Sequence, residues 1–324
     1  MERKFIYLLY ISIWIFMTIY LYFLLLKLQT PTGSFIKSSP ENPVLEKLKA
    51  WESLDKKGSF DFDIVNSEGF KDFEHTIIKP SNTYRIIALG DSMTFGAAVK
   101  INDTWPKQLE RKLNSLNFSL RFEVFNFGIP GAGTLEEVQV FKEKGLKYNP
   151  DMVILQFYEN DFEDSLEIKA KTFELWEKYK NGTYKLPPEI EEEVKKVGRK
   201  ERAISGVIRF IVTLEYDKKA AENFSEIWKK NVEKPLLELI ELCREKKIKL
   251  LVIAWDLDKE EKELLSSFLE KNNIPFIDLT PKLLHNSKIR LPDDHLSKYG
   301  YEIIAEEISK PILDIVSNYC KLSE

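Results

Sequence analysis

The chain has 324 residues, 44% apolar and 31% charged, enough for a sizeable core, which excludes a disordered, collagen-like or polytopic membrane protein. Lysine and arginine total 48 against 52 aspartates and glutamates, a net charge of −4, without the basic excess of a nucleic-acid binder. Two cysteines, Cys243 and Cys320, exclude a disulfide-dense scaffold and a four-cysteine zinc site; the sequence leaves open whether they pair. Any imidazole chemistry must use His75, His285 or His295.

Residues 5–26 read FIYLLYISIWIFMTIYLYFLLL, with no charge and no proline. About 20 apolar residues span a bilayer as a helix. A cleaved signal has a shorter apolar core, roughly 7–15 residues, and small residues at its cleavage site; the following LKLQTPTG offers no such pattern. Residues 1–27 are therefore expected to form an uncleaved single-pass anchor. Arg3 and Lys4 before the span favour an amino terminus inside, which places the remaining domain outside the cytoplasm. Residues 28–80 read as a tether, rich in Pro, Ser and Thr at first, then as a lead-in with a short hairpin expected around FDFDIVNSEGFKDFEH (60–75).

From residue 81 onward, short apolar runs alternate with stretches of helical spacing. RIIALG (85–90), RFEVFNFG (121–128), DMVILQFY (151–158), KLLVIAW (249–255) and IPFIDL (274–279) read as strands. TWPKQLERKLNSL, LEEVQVFKEKGLKY, the segment 226–247 with a kink or restart at Pro235, DKEEKELLSSFLEKN and the stretch from Ser297 to Tyr319 read as helices. This alternation implies α/β architecture: a three-layer α/β/α sandwich around a parallel, flavodoxin-like sheet of about five strands. Near-continuous apolar strands fit burial on both faces. A charged segment, 163–222, interrupts the pattern and reads as a helical insertion.

In open parallel sheets, ligands bind at the carboxyl ends of the strands. Four loops there carry unusual residues. The first strand ends in Gly90-Asp91-Ser92-Met93-Thr94-Phe95-Gly96, an exposed serine before a helix. It is neither a G-x-S-x-G elbow nor a phosphate loop. The second ends in Asn126-Phe127-Gly128-Ile129-Pro130-Gly131, whose glycines let backbone N–H groups approach a ligand. The third ends in Tyr158-Glu159-Asn160-Asp161, and an Asn there can donate into a site. Before the last helix comes Asp293-Asp294-His295-Leu296-Ser297. In extended backbone, residues i and i+2 face the same way, so Asp293 can hold one imidazole nitrogen of His295 and leave the other free. Each loop alone has a plain reading as a turn or cap. Together they supply a serine nucleophile, a histidine base, an orienting acid and oxyanion donors, the parts needed for acyl transfer.

These residues resemble the SGNH hydrolases, also called the GDSL esterase and lipase superfamily, from about Asn66 to Ile308. G-D-S-M-T-F-G is similar to the family's first block and makes Ser92 the nucleophile. N-F-G-I-P-G is similar to the second, with Gly131 as a backbone oxyanion donor. E-N-D is similar to the third, consensus G-x-N-D, with Asn160 as the side-chain donor. D-D-H-L-S is similar to the last, with His295 as base. N-S-E-G-F-K-D also resembles the lead-in of membrane-linked bacterial members. Two departures stand out. Tyr158 occupies the third-block glycine position, and D-x-H replaces the commoner D-x-x-H, making Asp293 the acid with Asp294 as its rival.

The resemblance implies a serine esterase with a Ser92–His295–Asp293 triad and an oxyanion hole of Ser92, Gly131 and Asn160, needing no metal and no cofactor. Its expected substrates are small acyl esters of envelope or exported carbohydrate. An O-acyltransferase, a lipase or lysophospholipase acting on nearby lipid, and a non-catalytic subunit of a membrane assembly are the alternatives. A histidine base implies a rate that rises with pH across the range where imidazole titrates, about 6–7.

Overall fold

The computed structural model describes residues 65–97, 99–116, 118–162, 165–186, 224–283, 288–290 and 295–322, with isolated residues between 188 and 216. The expected anchor, the tether up to residue 64, His285, Asp293 and Asp294 lie outside the described residues.

The chain divides into two compact units. One comprises residues 1–32 and 169–215, the other 33–168 and 216–324. In the first, the description covers chiefly the body of a helix, α4 (Ser165–Lys180). A turn through Gly182 follows it.

The second unit is built on five parallel strands: β1 (Thr83–Gly90), β2 (Arg121–Gly128), β3 (Met152–Phe157), β4 (Lys249–Ala254) and β5 (Phe276–Asp278). Their order is β2-β1-β3-β4-β5, the flavodoxin-like arrangement expected from the alternation. β1 is flanked on both sides, with Ile86 opposite Val124 of β2 and Met152 of β3. Its residues alternate between two cores. Ile87 and Leu89 face one, with Val153, Leu155, Val232, Leu236 and Leu269. Ile86 and Ala88 face the other, with Leu109, Leu113, Ile304, Ile308 and Ile312. Both faces are covered, so the strands read as unbroken apolar runs.

Helices flank the sheet. A single turn, α1 (Ser92–Phe95), follows β1, and α2 (Trp105–Ser115) leads to β2. α3 (Thr134–Val140) runs on through a π turn at Phe141–Gly145 and a 3-10 turn at Leu146–Tyr148. α5 (Phe224–Ile227) continues as a π segment, Trp228–Glu233, into α6 (Lys234–Lys246). Pro235 stands in the first turn of α6, where its missing N–H costs nothing, so it restarts the helix rather than breaking it. α7 (Lys259–Lys271) begins with Asp258 accepting from Glu261 N–H, and α8 (Lys298–Leu322) packs against α2.

The lead-in departs from expectation. No strand occurs within residues 65–80, so the expected hairpin is not found in its described part. The segment instead lies along β2, an edge strand, and is fixed by side-chain bonds. Asp72 Oδ2 accepts from Asn126 N–H at 2.7 Å. Arg85 Nη1 and Nη2 donate to Ile77 O at 2.9 Å and Thr76 O at 2.9 Å. Farther along the same strand, Val124 N–H donates to Glu110 Oε2 (2.7 Å) and Phe122 N–H to Asn114 Oδ1 (2.9 Å). Three alternate N–H groups of the edge are thus closed by carboxylates and an amide, which blocks pairing with another chain. His75 is structural: it bonds Asp72 at 2.9 Å and stacks on Phe125 at 3.6 Å. Cys243 is a buried free thiol, pushed up to about 12 by burial.

Candidate active site

Parallel strands end at one edge, and the loops leaving β1, β2 and β3 meet there. Ser92 opens the turn α1. Asp91 caps that turn by accepting from Met93 N–H at 2.8 Å, and Gly96 ends it in a left-handed conformation. Beneath it, Trp105 Nε1 donates to Thr94 Oγ1 (3.2 Å), which donates to Gln156 Oε1 (2.8 Å). The turn sits tightly on its neighbours. A Cβ on Gly90 would lie 2.2 Å from Thr94 Oγ1, and one on Gly128 would lie 2.1 Å from Phe95 N. Only glycine admits that approach at either position.

His295 and Ser92 are 203 positions apart, yet His295 Nε2 lies 2.9 Å from Ser92 Oγ, a hydrogen-bonding distance. Both residues are partly exposed. The loop after β2 is tied to β1 by Ile129 N–H donating to Gly90 O at 2.8 Å. Gly131 takes a φ of +63°, which L side chains rarely adopt. Asn160 Nδ2 donates to Ala132 O at 3.4 Å, so the amide lies beside the Gly131–Ala132 segment. That bond is long and weak. The structure thus brings Ser92 and His295 together, and Asn160 up to the loop of Gly131.

Two buried carboxylates hold this arrangement. Asp161 accepts from Tyr158 N–H (2.8 Å) and Thr134 Oγ1 (2.8 Å), folding the turn that presents Asn160. Burial and the neighbouring Asp91 charge push Asp161 well above the usual carboxylate range. Burial likewise raises Asp91, against opposing contributions from Met93 N–H, the His295 charge and a hydrogen bond with Asn160. Tyr158 keeps its phenolic proton: burial and then the charges of Glu159 and Asp256 raise it. Among the described residues, no group of three or more His, Cys, Asp or Glu side chains could hold a metal ion.

Sequence reasoning missed Asp256 and Arg290. Asp256 follows β4 at a φ of +61°. Its Oδ2 lies 2.5 Å from Arg290 Nη2 and 3.5 Å from Tyr158 Oη. The one available signal was an acidic residue directly after a strand, at the edge where ligands bind; no spacing rule links it to an arginine beyond the next strand.

A parallel 2-1-3-4-5 sheet with helices on both faces and its polar loops at the carboxyl edge defines a three-layer α/β enzyme. The chain belongs to the GDSL-like lipase/acylhydrolase family, whose model matches residues 86–308, and it is an ester-hydrolysing enzyme. It is similar to solved structures of a psychrotrophic esterase, EstA, from Pseudoalteromonas sp. (12% identity, TM-score 0.45, covering 72% of this chain and 98% of that one). It is also similar to an acetyl xylan esterase, AlAXEase (16%, 0.42, 70% and 98%), and to a lipase/acylhydrolase from Enterococcus faecalis (16%, 0.37, 70% and 96%). No curated protein sequence is detectably similar.

Proposed function

We propose that this ester hydrolase works through an acyl-enzyme on Ser92. His295 takes the Ser92 proton as Oγ attacks the ester carbonyl, then returns it to the leaving alcohol. Water, activated by the same imidazole, releases the acid and regenerates Ser92. The Ser92 and Gly131 N–H groups and the Asn160 amide hold the oxyanion, and Asp293 orients His295. The observation that carries this reading is the 2.9 Å contact of Ser92 Oγ with His295 Nε2, within reach for proton transfer.

The substrate is proposed to be a small acyl ester, acetyl-like, carried on envelope or exported carbohydrate. A site outside the cytoplasm, held to the membrane through residues 5–26, places the enzyme among such polymers.

The test is hydrolysis of p-nitrophenyl acetate and octanoate by the full chain in detergent, beside Ser92→Ala and His295→Ala. Acetate should be preferred, and each variant should lose at least about a thousandfold in kcat. Octanoate preference would move the substrate to lipid. Variants as active as wild type would overturn the assignment of the site.

A further inference from the structure

The base of the catalytic loop is fastened in a way the hydrolytic scheme does not require. Arg290 and Leu296 form an antiparallel bridge, and Ser297 N–H donates to Ile289 O at 2.8 Å. His295 is the residue next to Leu296, so the position of this bridge sets the distance of the imidazole from Ser92. On one side the bridge is tied to α8, where Ser297 O accepts from Tyr301 N–H at 3.0 Å and Ser297 Oγ accepts from Gly300 N–H at 3.3 Å. On the other side Ile289 and Leu296 pack in the core against the sheet, and a buried charge adds a directed tie.

Arg290 is 5% exposed. A buried guanidinium must find an anion and acceptors, or the fold bears several kcal/mol. Its Nη2 lies 2.5 Å from Asp256 Oδ2 and donates to Leu283 O at 3.2 Å. Asp256 is itself fixed: its N–H donates to Thr280 Oγ1 at 3.1 Å, and Thr280 N–H donates to Asp278 Oδ1 at 2.9 Å, on β5. The Asp256 oxygen that meets Arg290 also lies 3.5 Å from Tyr158 Oη. Tyr158 in turn is locked to Asp161 through paired bonds, Tyr158 N–H to Asp161 Oδ2 at 2.8 Å and Asp161 N–H to Tyr158 O at 2.9 Å. Asn160 stands inside that turn.

We infer that Asp256 and Arg290 are positioning residues that couple the two halves of the site, holding the His295 loop in register with the turn that presents Asn160. They touch no reacting atom; they act through His295. This rests on the reading of Ser92 and His295 given above. Tyr158, where the family pattern has glycine, brings its phenol to 3.5 Å from Asp256, a long contact that adds little to the ion pair itself.

The experiment measures kcat and KM of the full chain on p-nitrophenyl acetate for Arg290→Met, Asp256→Asn and the double variant, each alone and with His295→Ala. Displacing a catalytic group by about 1 Å costs on the order of a hundredfold. Arg290→Met and Asp256→Asn should therefore each lose about 10- to 100-fold in kcat, with KM within about twofold of wild type. The double variant should lose no more than the worse single variant, because the two act as one unit. Arg290→Lys keeps the ion pair and should recover most of the loss. In the His295→Ala background the clamp substitutions should change the residual rate little, since the residue they position is gone. A folded Arg290→Met with wild-type kcat overturns the proposal, and so does an equal loss with His295→Ala present. If Arg290→Met does not fold, Asp256→Asn decides it by the same criteria. Should Ser92→Ala and His295→Ala retain wild-type activity, it is the reading of the site that fails, an outcome distinct from a failed clamp.

Discussion

Asp91 stands one residue before Ser92, buried, and the charge of His295 acts on it directly. Chiefly through burial, its carboxyl is held above the ordinary range. A folded value above the unfolded one means the folded chain holds the proton more tightly. The stability that Asp91 contributes is therefore present at acid pH, and is lost as pH rises from about 4 through the folded value. Asp91→Asn removes that loss and still accepts from Met93 N–H. It should unfold in urea at pH 7 no more easily than wild type, with any gain shrinking towards pH 4. Its kcat should nonetheless fall about tenfold, because the imidazolium formed on His295 loses a fixed negative neighbour. Unchanged kcat at pH 7 would show that the Asp91 charge does not serve the chemistry. At this scale Ser92, Gly131 and Asn160 stood out as candidates because each lies in a Gly-, Asn- or Asp-bearing loop just past an apolar strand, and His295 because two aspartates precede it. Asp256 and Arg290 were not, because a buried ion pair across two loops leaves no periodic trace. The acid beside His295 was read from spacing alone.

The strands and helices were legible for a related reason. Strands covered on both faces need apolar residues at every position, and the flanking helices need one apolar stripe. The lead-in defeated that logic. Its Phe60, Phe62 and Ile64 alternate with aspartates in the sequence as in a strand, yet farther on Asp72 and Arg85 bond backbone atoms directly and leave no need for strand pairing. Lys71 Nζ, also buried, donates to Gly96 O at 2.8 Å, so the same segment braces the loop that follows Ser92. The centre of the segment is the buried pair Asp72–Lys107, at 2.9 Å. Burial disfavours both charges, but the partners outweigh it. Lys107, His75 and the Asn126 N–H hold Asp72 below its usual range, while Asp72 and Glu110 hold Lys107 above its own. A depressed carboxylate contributes stability that is present above about pH 4 and lost as pH falls through its folded value; a raised ammonium contributes stability present below about 10 and lost above its folded value. Asp72→Ala leaves Lys107 without that partner and should cost about 3–5 kcal/mol at pH 7. The deficit should shrink below about pH 4, where the wild type loses the same charge. Urea unfolding at pH 7 and pH 3 measures both, and an equal deficit at the two values would mean that Asp72 acts by packing alone.

For the molecule as a whole, the relation of chemistry to membrane turns on the segment that joins the lead-in to the expected anchor. Lys71 lies by Gly96, at the carboxyl edge of the sheet, whereas Ile77 O and Ile78 O lie by Arg85 near the start of β1. The segment therefore runs antiparallel to β2, but the residues before it double back: Asn66 Nδ2 donates to Phe73 O at 3.1 Å and Lys144 Nζ to Glu68 O at 2.7 Å, so the described chain begins beside Phe73 and not at the carboxyl edge. An anchor over residues 5–26 would hold the site on a leash rather than bury it against lipid. If the roughly 37 residues between them behave as a coil, they reach on the order of 30–35 Å. The full chain should sediment with membranes and stay there in high salt, which strips electrostatic attachment but not an apolar span. A chain beginning at Gln29 should remain in the supernatant and turn over p-nitrophenyl acetate with unchanged kcat, since that ester diffuses freely. The two should part only on an acetylated polysaccharide fixed to cell envelopes, where the leashed enzyme acts at a high effective concentration and the released one does not. Full chain found in the supernatant would remove the anchor, and equal rates on the fixed polymer would remove the leash as a determinant of substrate.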